Sequence, residues 1–450
     1  MNLPQEFIRS IKTLLENDES ADFLAALDQE SLTSIRFNAK FTPNVSFQPV
    51  PWCSTGYYLP ERPLFTADPL FHAGAYYVQE ASSMFLEQII KQYITTPVNV
   101  LDLCAAPGGK STHLSNLLSE GSLLVSNEII RSRAYILAEN LAKCGNGNAL
   151  VSNNKPEDFQ NLHSFFDVML VDAPCSGEGM FRKDTNAISE WSLSNVEMCA
   201  KRQQNILASV WNALKTGGVL IYSTCTYNRK ENEENVRWII ENLGAEYLKV
   251  SIKDEFNITE TSLGYRFFPH KTKGEGFFIA ALRKTDDATK RLKIKEEKTQ
   301  KTKVSSQIKA LLQDSEKWSF RLSDNYISAI PLAKSTEIEL LEKKLNVLLS
   351  GILMAEKKGE SIVYAQHLAL SKYLDKEAVQ TQEVDWQTAI LFLKKEAIAL
   401  PNSPKGLVLL TYKNMPIGWV KNLGNRCNNL YPQEWRIRMN ISQSNFKSFI

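Results

Sequence analysis

No apolar run in this sequence approaches the ~18 consecutive residues that a membrane-spanning helix needs, so no such span and no membrane partner are expected. The opening segment MNLPQEFIRSIKTLLENDES has neither a short apolar core nor a small-residue cleavage site, and it does not read as a secretory signal. Cysteine is sparse: seven residues, an odd number, with no CxxC pair. That excludes a disulfide framework and a short-spaced metal cluster, leaves no metal in the expected cofactor set, and fits reduced thiols in the cytoplasm. Charge of one sign is lacking too. The formal net charge is only +2, so a nucleic-acid partner has to be met by local basic patches. Internal repeats and long low-complexity tracts are absent, which sets aside solenoid and fibrous architectures.

What is present suffices for several folded units. A length of 450 residues with 43% hydrophobic content implies about three domains with well-formed cores. Residues 1–95 join a helical start to an extended stretch punctuated by Pro43, Pro49, Pro51, Pro60 and Pro63. From Val98 onward, short apolar strands such as VNVLDL, SLLVSNEI and FDVMLVDA alternate with amphipathic helices. This alternation predicts an α/β unit over residues 96–285, a doubly wound parallel sheet covered on both faces and closed by GFFIAALRK at 276–284. Residues 283–303 carry nine Lys/Arg against four Asp/Glu, which predicts a solvated basic linker across 286–310. Beyond it, 311–384 reads as a helical unit. Residues 385–450 read as a strand-rich aromatic module, with GLVLLTYKNMPIGWVKNLG as its hairpin-like stretch.

The stretch VNVLDLCAAPGGKSTHLS reads as strand, glycine-rich turn and helix. Ala105, Ala106, Gly108 and Gly109, set between Cys104, Pro107 and Lys110, let a ligand approach the backbone. The helix N-terminus then offers free N–H groups to an anion, and Lys110 adds charge. The spacing fits neither the phosphate-loop nor the dinucleotide pattern. Glu128 ends the next strand about twenty residues on, where an acid can accept hydrogen bonds from ribose hydroxyls. Taken alone it would be an ordinary surface acid. Asp172 closes FDVMLVD at the carboxyl end of a strand, where doubly wound sheets bind ligands. The Pro-Cys-Ser-Gly turn behind it aims this acid into the cleft rather than into a helix cap. Cys175 in DAPCSGEGMFRKD and Cys225 in YSTCTYNRKENEEN stand at corresponding strand ends of that cleft. A single buried cysteine is usually an inert small hydrophobe, whereas two so placed point to nucleophilic catalysis with an assisting group.

In this order, CAAPGGK (Cys104–Lys110), DAPCSGEG (Asp172–Gly179) and STCT (Ser223–Thr226) resemble the motifs of the Sun-family RNA cytosine-5 methyltransferases. YVQEASSM (Tyr77–Met84) and SIRFN (Ser34–Asn38) are similar to two further segments of that family, so the likeness covers about residues 30–285. The whole-chain layout is most similar to the RsmF-type branch. The resemblance implies a Rossmann-like, S-adenosylmethionine-dependent methyltransferase domain, an N-terminal RNA-recognition extension, and C-terminal helical and PUA-like RNA-binding modules. It also implies a monomer whose partner is ribosomal RNA or the small ribosomal subunit, with cytosines of the decoding region as substrate. Cys225 would then attack carbon 6 of cytosine, and Cys175 would assist release of the product. Asp172 would touch both the cofactor region and the cytosine edge, while residues 104–110 and Glu128 would hold the cofactor.

One position departs from the family pattern. Where many members place an Asp near the adenine, this chain reads VSNNKPEDF, with Asn154 the nearest match and Asp158 four residues on. An asparagine carbonyl can still accept from the adenine amino group. Lys110, Arg182 and Lys183 are candidates for RNA phosphates, with a solvated loop as the alternative for the last two. Trp419, Tyr431 and Trp435 either stack on bases or fill a small core. Two rival readings remain. A DNA cytosine-5 methyltransferase would attack with Cys175 and leave Cys225 without a role. A non-catalytic ribosome-assembly factor should have lost a cysteine or the glycine-rich loop, and both are intact.

Overall fold

In the computed structural model, which describes residues 1–286, 304–442 and 448–450, ten strands build one central sheet. The stretch read as a basic linker falls mainly at 287–303, outside the described residues. Five parallel strands form the middle: β1 (Asn99–Asp102), β2 (Leu123–Asn127), β3 (Ala149–Ser152), β4 (Phe166–Asp172) and β5 (Leu214–Thr224). They lie in the order β3-β2-β1-β4-β5, and β1, β2 and β3 are buried at every residue. Such continuous apolar runs are what a sheet covered on both faces requires, and a separate hydrophobic core packs on each face. On the β5 side the sheet continues antiparallel through β6 (Ala245–Leu248), β7 (Thr259–Thr261), β8 (Gly264–Phe267) and β9 (Phe277–Lys284). Strand order reverses between β1 and β4. The loops after β1, β4 and β5 therefore meet in a crevice at the carboxyl edge.

The other edge is closed from far along the chain. Strand β10 (Val347–Ser350) pairs antiparallel with β3, with Val347 opposite Ser152 and Ser350 opposite Leu150. The expectation of a helical unit over 311–384 is corrected here. An antiparallel sheet runs through Trp318–Ser323, Tyr326–Pro331, Ile352–Lys358 and Ser361–Tyr364, with one ten-residue helix at Ser335–Lys344. The physical reason is the burial period: Ile327 and Ala329, like Ile352 and Met354, are buried two residues apart, the repeat of a strand.

Two N-terminal helices, Gln5–Leu14 and Asn17–Leu27, precede a small sheet in which Ser34–Phe37 pairs with Gly56–Tyr58 and Tyr76–Val78. The C-terminal module has the expected hairpin, Gly406–Tyr412 against Met415–Asn422. Its turn residues Lys413 and Asn414 both take positive φ, as tight hairpins demand. These two ends of the chain share one core, in which Ile35 and Phe37 meet Ile390, Val408, Ile417 and Tyr431. Trp419 and Tyr431 are fully buried core residues, so base stacking does not fall to them. Trp435 is half-buried, with the Lys143 ammonium 5.4 Å above its ring.

Candidate active site

The turn after β1 is strapped from both sides. The Ala105 amide donates to Asn127 O at 2.9 Å, Arg133 donates to Ala106 O at 2.8 Å, and Asn140 donates to Pro107 O at 2.8 Å. Gly108, at φ 115°, starts the helix Gly109–Leu117 without any side-chain cap, so the first-turn amides are left to a ligand. Beneath that turn Asp102 is completely buried. One oxygen accepts from Ser111 Oγ at 2.6 Å, and the other has no partner. Burial pushes its carboxyl up to about 7 against the Ser111 hydrogen bond, with the Asp172 charge adding to the rise. An open helix N-terminus, a buried carboxyl oxygen left without a partner and a small-residue loop suit a zwitterionic ligand such as the methionine end of S-adenosylmethionine.

Asp172, at the end of β4, ties the end of β5 to the helix that follows the β1 turn. It accepts from Lys110 Nζ at 2.7 Å and from Ser223 Oγ at 2.7 Å, while about a third of its side chain stays exposed to the cleft. Burial works against the Lys110 charge, but the Asp172 carboxylate outweighs it and raises the ammonium's pKa. Just beyond, the Sγ atoms of Cys175 and Cys225 stand 3.0 Å apart, both half-buried and both free thiols. The fold thus brings Lys110, Asp172, Cys175 and Cys225 together in one cleft.

Other candidates sit differently. The Arg182 guanidinium is turned inward, donating to Glu275 at 2.8 Å and to Gly274 O at 2.8 Å, with 8% of its side chain exposed. Its charge is paired with Glu275, so Arg182 is held against Glu275 and Gly274 instead of standing free on a loop. Lys183 is more exposed but lies 3.5 Å from the same Glu275. Glu128 is buried at the end of β2 and accepts the Ile130 amide at 2.9 Å, with Arg133 3.7 Å away. The side-chain carbonyl of Asn154 accepts the Asn346 amide at 2.9 Å, and its NH2 donates to Asp158 at 2.9 Å. Those two bonds fasten Asn154 to the strand region at the sheet edge.

Several residues of the site carried no signal that local spacing could reveal. Arg36 of SIRFN donates to Gln79 at 2.7 Å and to Thr112 at 2.8 Å, so two of the quoted motifs lock the N-terminal sheet onto the cofactor-loop helix. Glu178 and Glu231 reach across between the two cysteine loops. Among the described residues, Cys53, Glu87 and His113 form the one metal-type set. Hydrogen bonds of 3.2 Å from Cys53 and 3.2 Å from His113 to Glu87 account for it, and burial, followed by the Glu87 charge, pushes the thiol up to about 12.

A reversing parallel sheet, a glycine-rich turn after β1 that opens an uncapped helix, and acids at the ends of β2 and β4 are the features of a Rossmann-like S-adenosylmethionine-dependent methyltransferase. Residues 94–283 match the family described as 16S rRNA methyltransferase RsmB/F. Residues 3–81 match the N-terminal domain of 16S rRNA methyltransferase RsmF, and 379–437 match the methyltransferase RsmF PUA domain. The chain is 32% identical over 465 residues to Ribosomal RNA small subunit methyltransferase F of Pectobacterium atrosepticum, covering 96% of each. It is 33% identical to the protein of the same name from Vibrio cholerae, covering 96% of this chain and 98% of the other. The chain belongs to the RsmF family of 16S rRNA methyltransferases. Among solved structures, NSun6 from Pyrococcus horikoshii with SFG aligns with a TM-score of 0.53 at 21% identity, covering 63% of this chain and 99% of that one. A methyltransferase homolog protein from Pyrococcus horikoshii aligns with a TM-score of 0.53 at 24% identity, covering 63% and 100%. Both likenesses are of fold.

Proposed function

We propose that this chain methylates carbon 5 of cytosine in small-subunit ribosomal RNA through a covalent adduct on Cys225. The observation that carries this reading is the pair of thiols 3.0 Å apart beside the fixed carboxylate of Asp172. S-adenosylmethionine, when bound over the β1 turn, supplies an electrophilic methyl group. Carbon 5 of cytosine is too weak a nucleophile to accept it unaided. The Cys225 thiolate adds to carbon 6, and the pair of the 5,6 double bond moves to carbon 5, which takes the methyl group. Removal of the carbon 5 proton then restores the double bond and breaks the carbon 6–sulfur bond, returning the thiolate.

Cys175 fits the second half of that sequence. Its thiol is pushed well above the ordinary range, first by the hydrogen bond with Cys225, then by burial, then by the Cys225 charge. Before attack it therefore keeps its proton and donates it toward the Cys225 sulfur. Once Cys225 carries carbon, that hydrogen bond and that charge are gone. The largest cause of the shift disappears, so Cys175 can pass its own proton to solvent and then, as the thiolate, take the carbon 5 proton. Asp172, pinned by Lys110 and Ser223, keeps a carboxylate at the cleft for the cytosine amino group.

Transfer of tritiated methyl groups to small-subunit ribosomal RNA, followed by digestion to nucleosides, tests the proposal. The label is expected in 5-methylcytidine. Label in any other nucleoside, or none on RNA, overturns it.

A further inference from the structure

The two loops that carry the thiols are held by two buried acids, and each acid grips the loop to which it does not belong. Glu178 follows Cys175 in sequence, yet its carboxylate accepts the amides of Tyr227 at 2.8 Å and Asn228 at 2.9 Å, just past Cys225. Glu231 follows Cys225, yet it accepts the amide of Ser176 at 3.0 Å, next to Cys175. The Asn228 side chain donates to both, at 3.2 Å to Glu178 and 2.8 Å to Glu231. The acids are 1% and 0% exposed, and Trp191 at 2.9 Å and Gln203 at 2.7 Å complete their shells.

We infer that Glu178 and Glu231 are positioning residues that divide the chemistry between them, Glu178 setting the Cys225 loop for attack and Glu231 setting the Cys175 loop for release. The inference rests on the covalent reading given above. A carboxylate that accepts amides of a turn fixes those peptide planes, and a misplacement of about 1 Å at a reacting group costs on the order of a hundredfold in rate. Each acid meets only donors, so glutamine in its place turns an NH2 toward an N–H and expels one of them. Loss at Glu231 should therefore displace Cys175 while leaving Cys225 able to add to carbon 6. Loss at Glu178 should do the reverse.

The test compares wild type, Cys175→Ala, Glu231→Gln and Glu178→Gln, incubated with ribosomal RNA and S-adenosylmethionine and run on denaturing gels for covalent protein–RNA complex. Glu231→Gln is expected to accumulate complex about tenfold above wild type, as Cys175→Ala does, while turnover falls. Glu178→Gln is expected to lose about tenfold or more in turnover with no complex. Equal loss of turnover in both without complex, or complex in both, overturns the division of roles. No complex with Cys175→Ala overturns the covalent reading itself, whereas complex with Cys175→Ala but not with Glu231→Gln overturns this inference alone. Calorimetric cofactor binding checks that each variant is folded. If Glu231→Gln fails that check, Gln203→Met removes one donor from Glu231 and is expected to accumulate complex to a lesser degree; absence of complex there counts against the inference.

Discussion

Gly108 sits close against Leu137: a β-carbon built there would stand 3.2 Å from Leu137 Cδ1 and 3.4 Å from Asn140 Cβ, so Leu137 would have to give by a few tenths of an ångström. The neighbours belong to the helix Arg131–Cys144, and the residue's φ of 115° adds strain to any replacement. Gly108→Val is expected to move the whole turn, lowering cofactor affinity about tenfold or more in calorimetry and costing roughly 1–2 kcal/mol of stability. Unchanged affinity would mean that the turn does not hold the cofactor.

Removing each thiol should stop the reaction at a different point. Cys175→Ala leaves the attacker and removes the helper, so a denaturant-resistant protein–RNA band is expected that requires both RNA and cofactor. Cys225→Ala should bind both and give neither band nor methyl transfer, and the double variant should behave the same way. A band with Cys225→Ala and none with Cys175→Ala would reverse the roles, as a DNA-type mechanism requires.

Asp102 should make the fold sensitive to base. Its carboxyl is pushed from 3.8 to about 7 by burial, so between those values the folded chain holds a proton that the unfolded chain has released. Stability from this group is complete below about pH 4 and is lost as pH rises through about 7, by as much as about 4 kcal/mol. Asp102→Asn keeps an acceptor for Ser111 Oγ and cannot ionise. Denaturant melts are expected to show it gaining on wild type from about pH 5 to about pH 8. A constant difference across that range would place the ionisation elsewhere.

Truncation after residue 286 is expected to damage the catalytic sheet rather than release it. β10 pairs with β3, the Asn346 amide bonds Asn154, and the N-terminal sheet shares its core with the C-terminal module. The shortened chain should lose cofactor binding or solubility, read by calorimetry and sedimentation. Wild-type cofactor affinity in that fragment would show that the edge strand is dispensable.

The central sheet was legible because its strands are short, doubly buried apolar runs separated by amphipathic helices, a period visible without any partner. Asp172, Cys175 and Cys225 could be placed at the cleft because each closes or follows such a strand. What escaped depends on contacts across the chain. Glu178 and Glu231 meet amides about fifty positions away in sequence. Arg182 looked like a free loop cation because Glu275, its partner, lies ninety-three positions on. The strands at 318–331 were hidden by Lys- and Glu-rich neighbours that favour helix, although Asp324-Asn325 marks their turn and Asp324 takes φ 50°.

Strand β10 also sets a clock on synthesis. The ribosome delivers the chain amino end first, and β3, complete by residue 152, has to wait for residues 347–350 before its outer row of N–H and C=O groups is paired. Through the translation of nearly two hundred residues the growing sheet carries a bare, apolar edge of the kind to which other nascent strands adhere. A chain stalled within that interval is the form of this protein most in need of a chaperone.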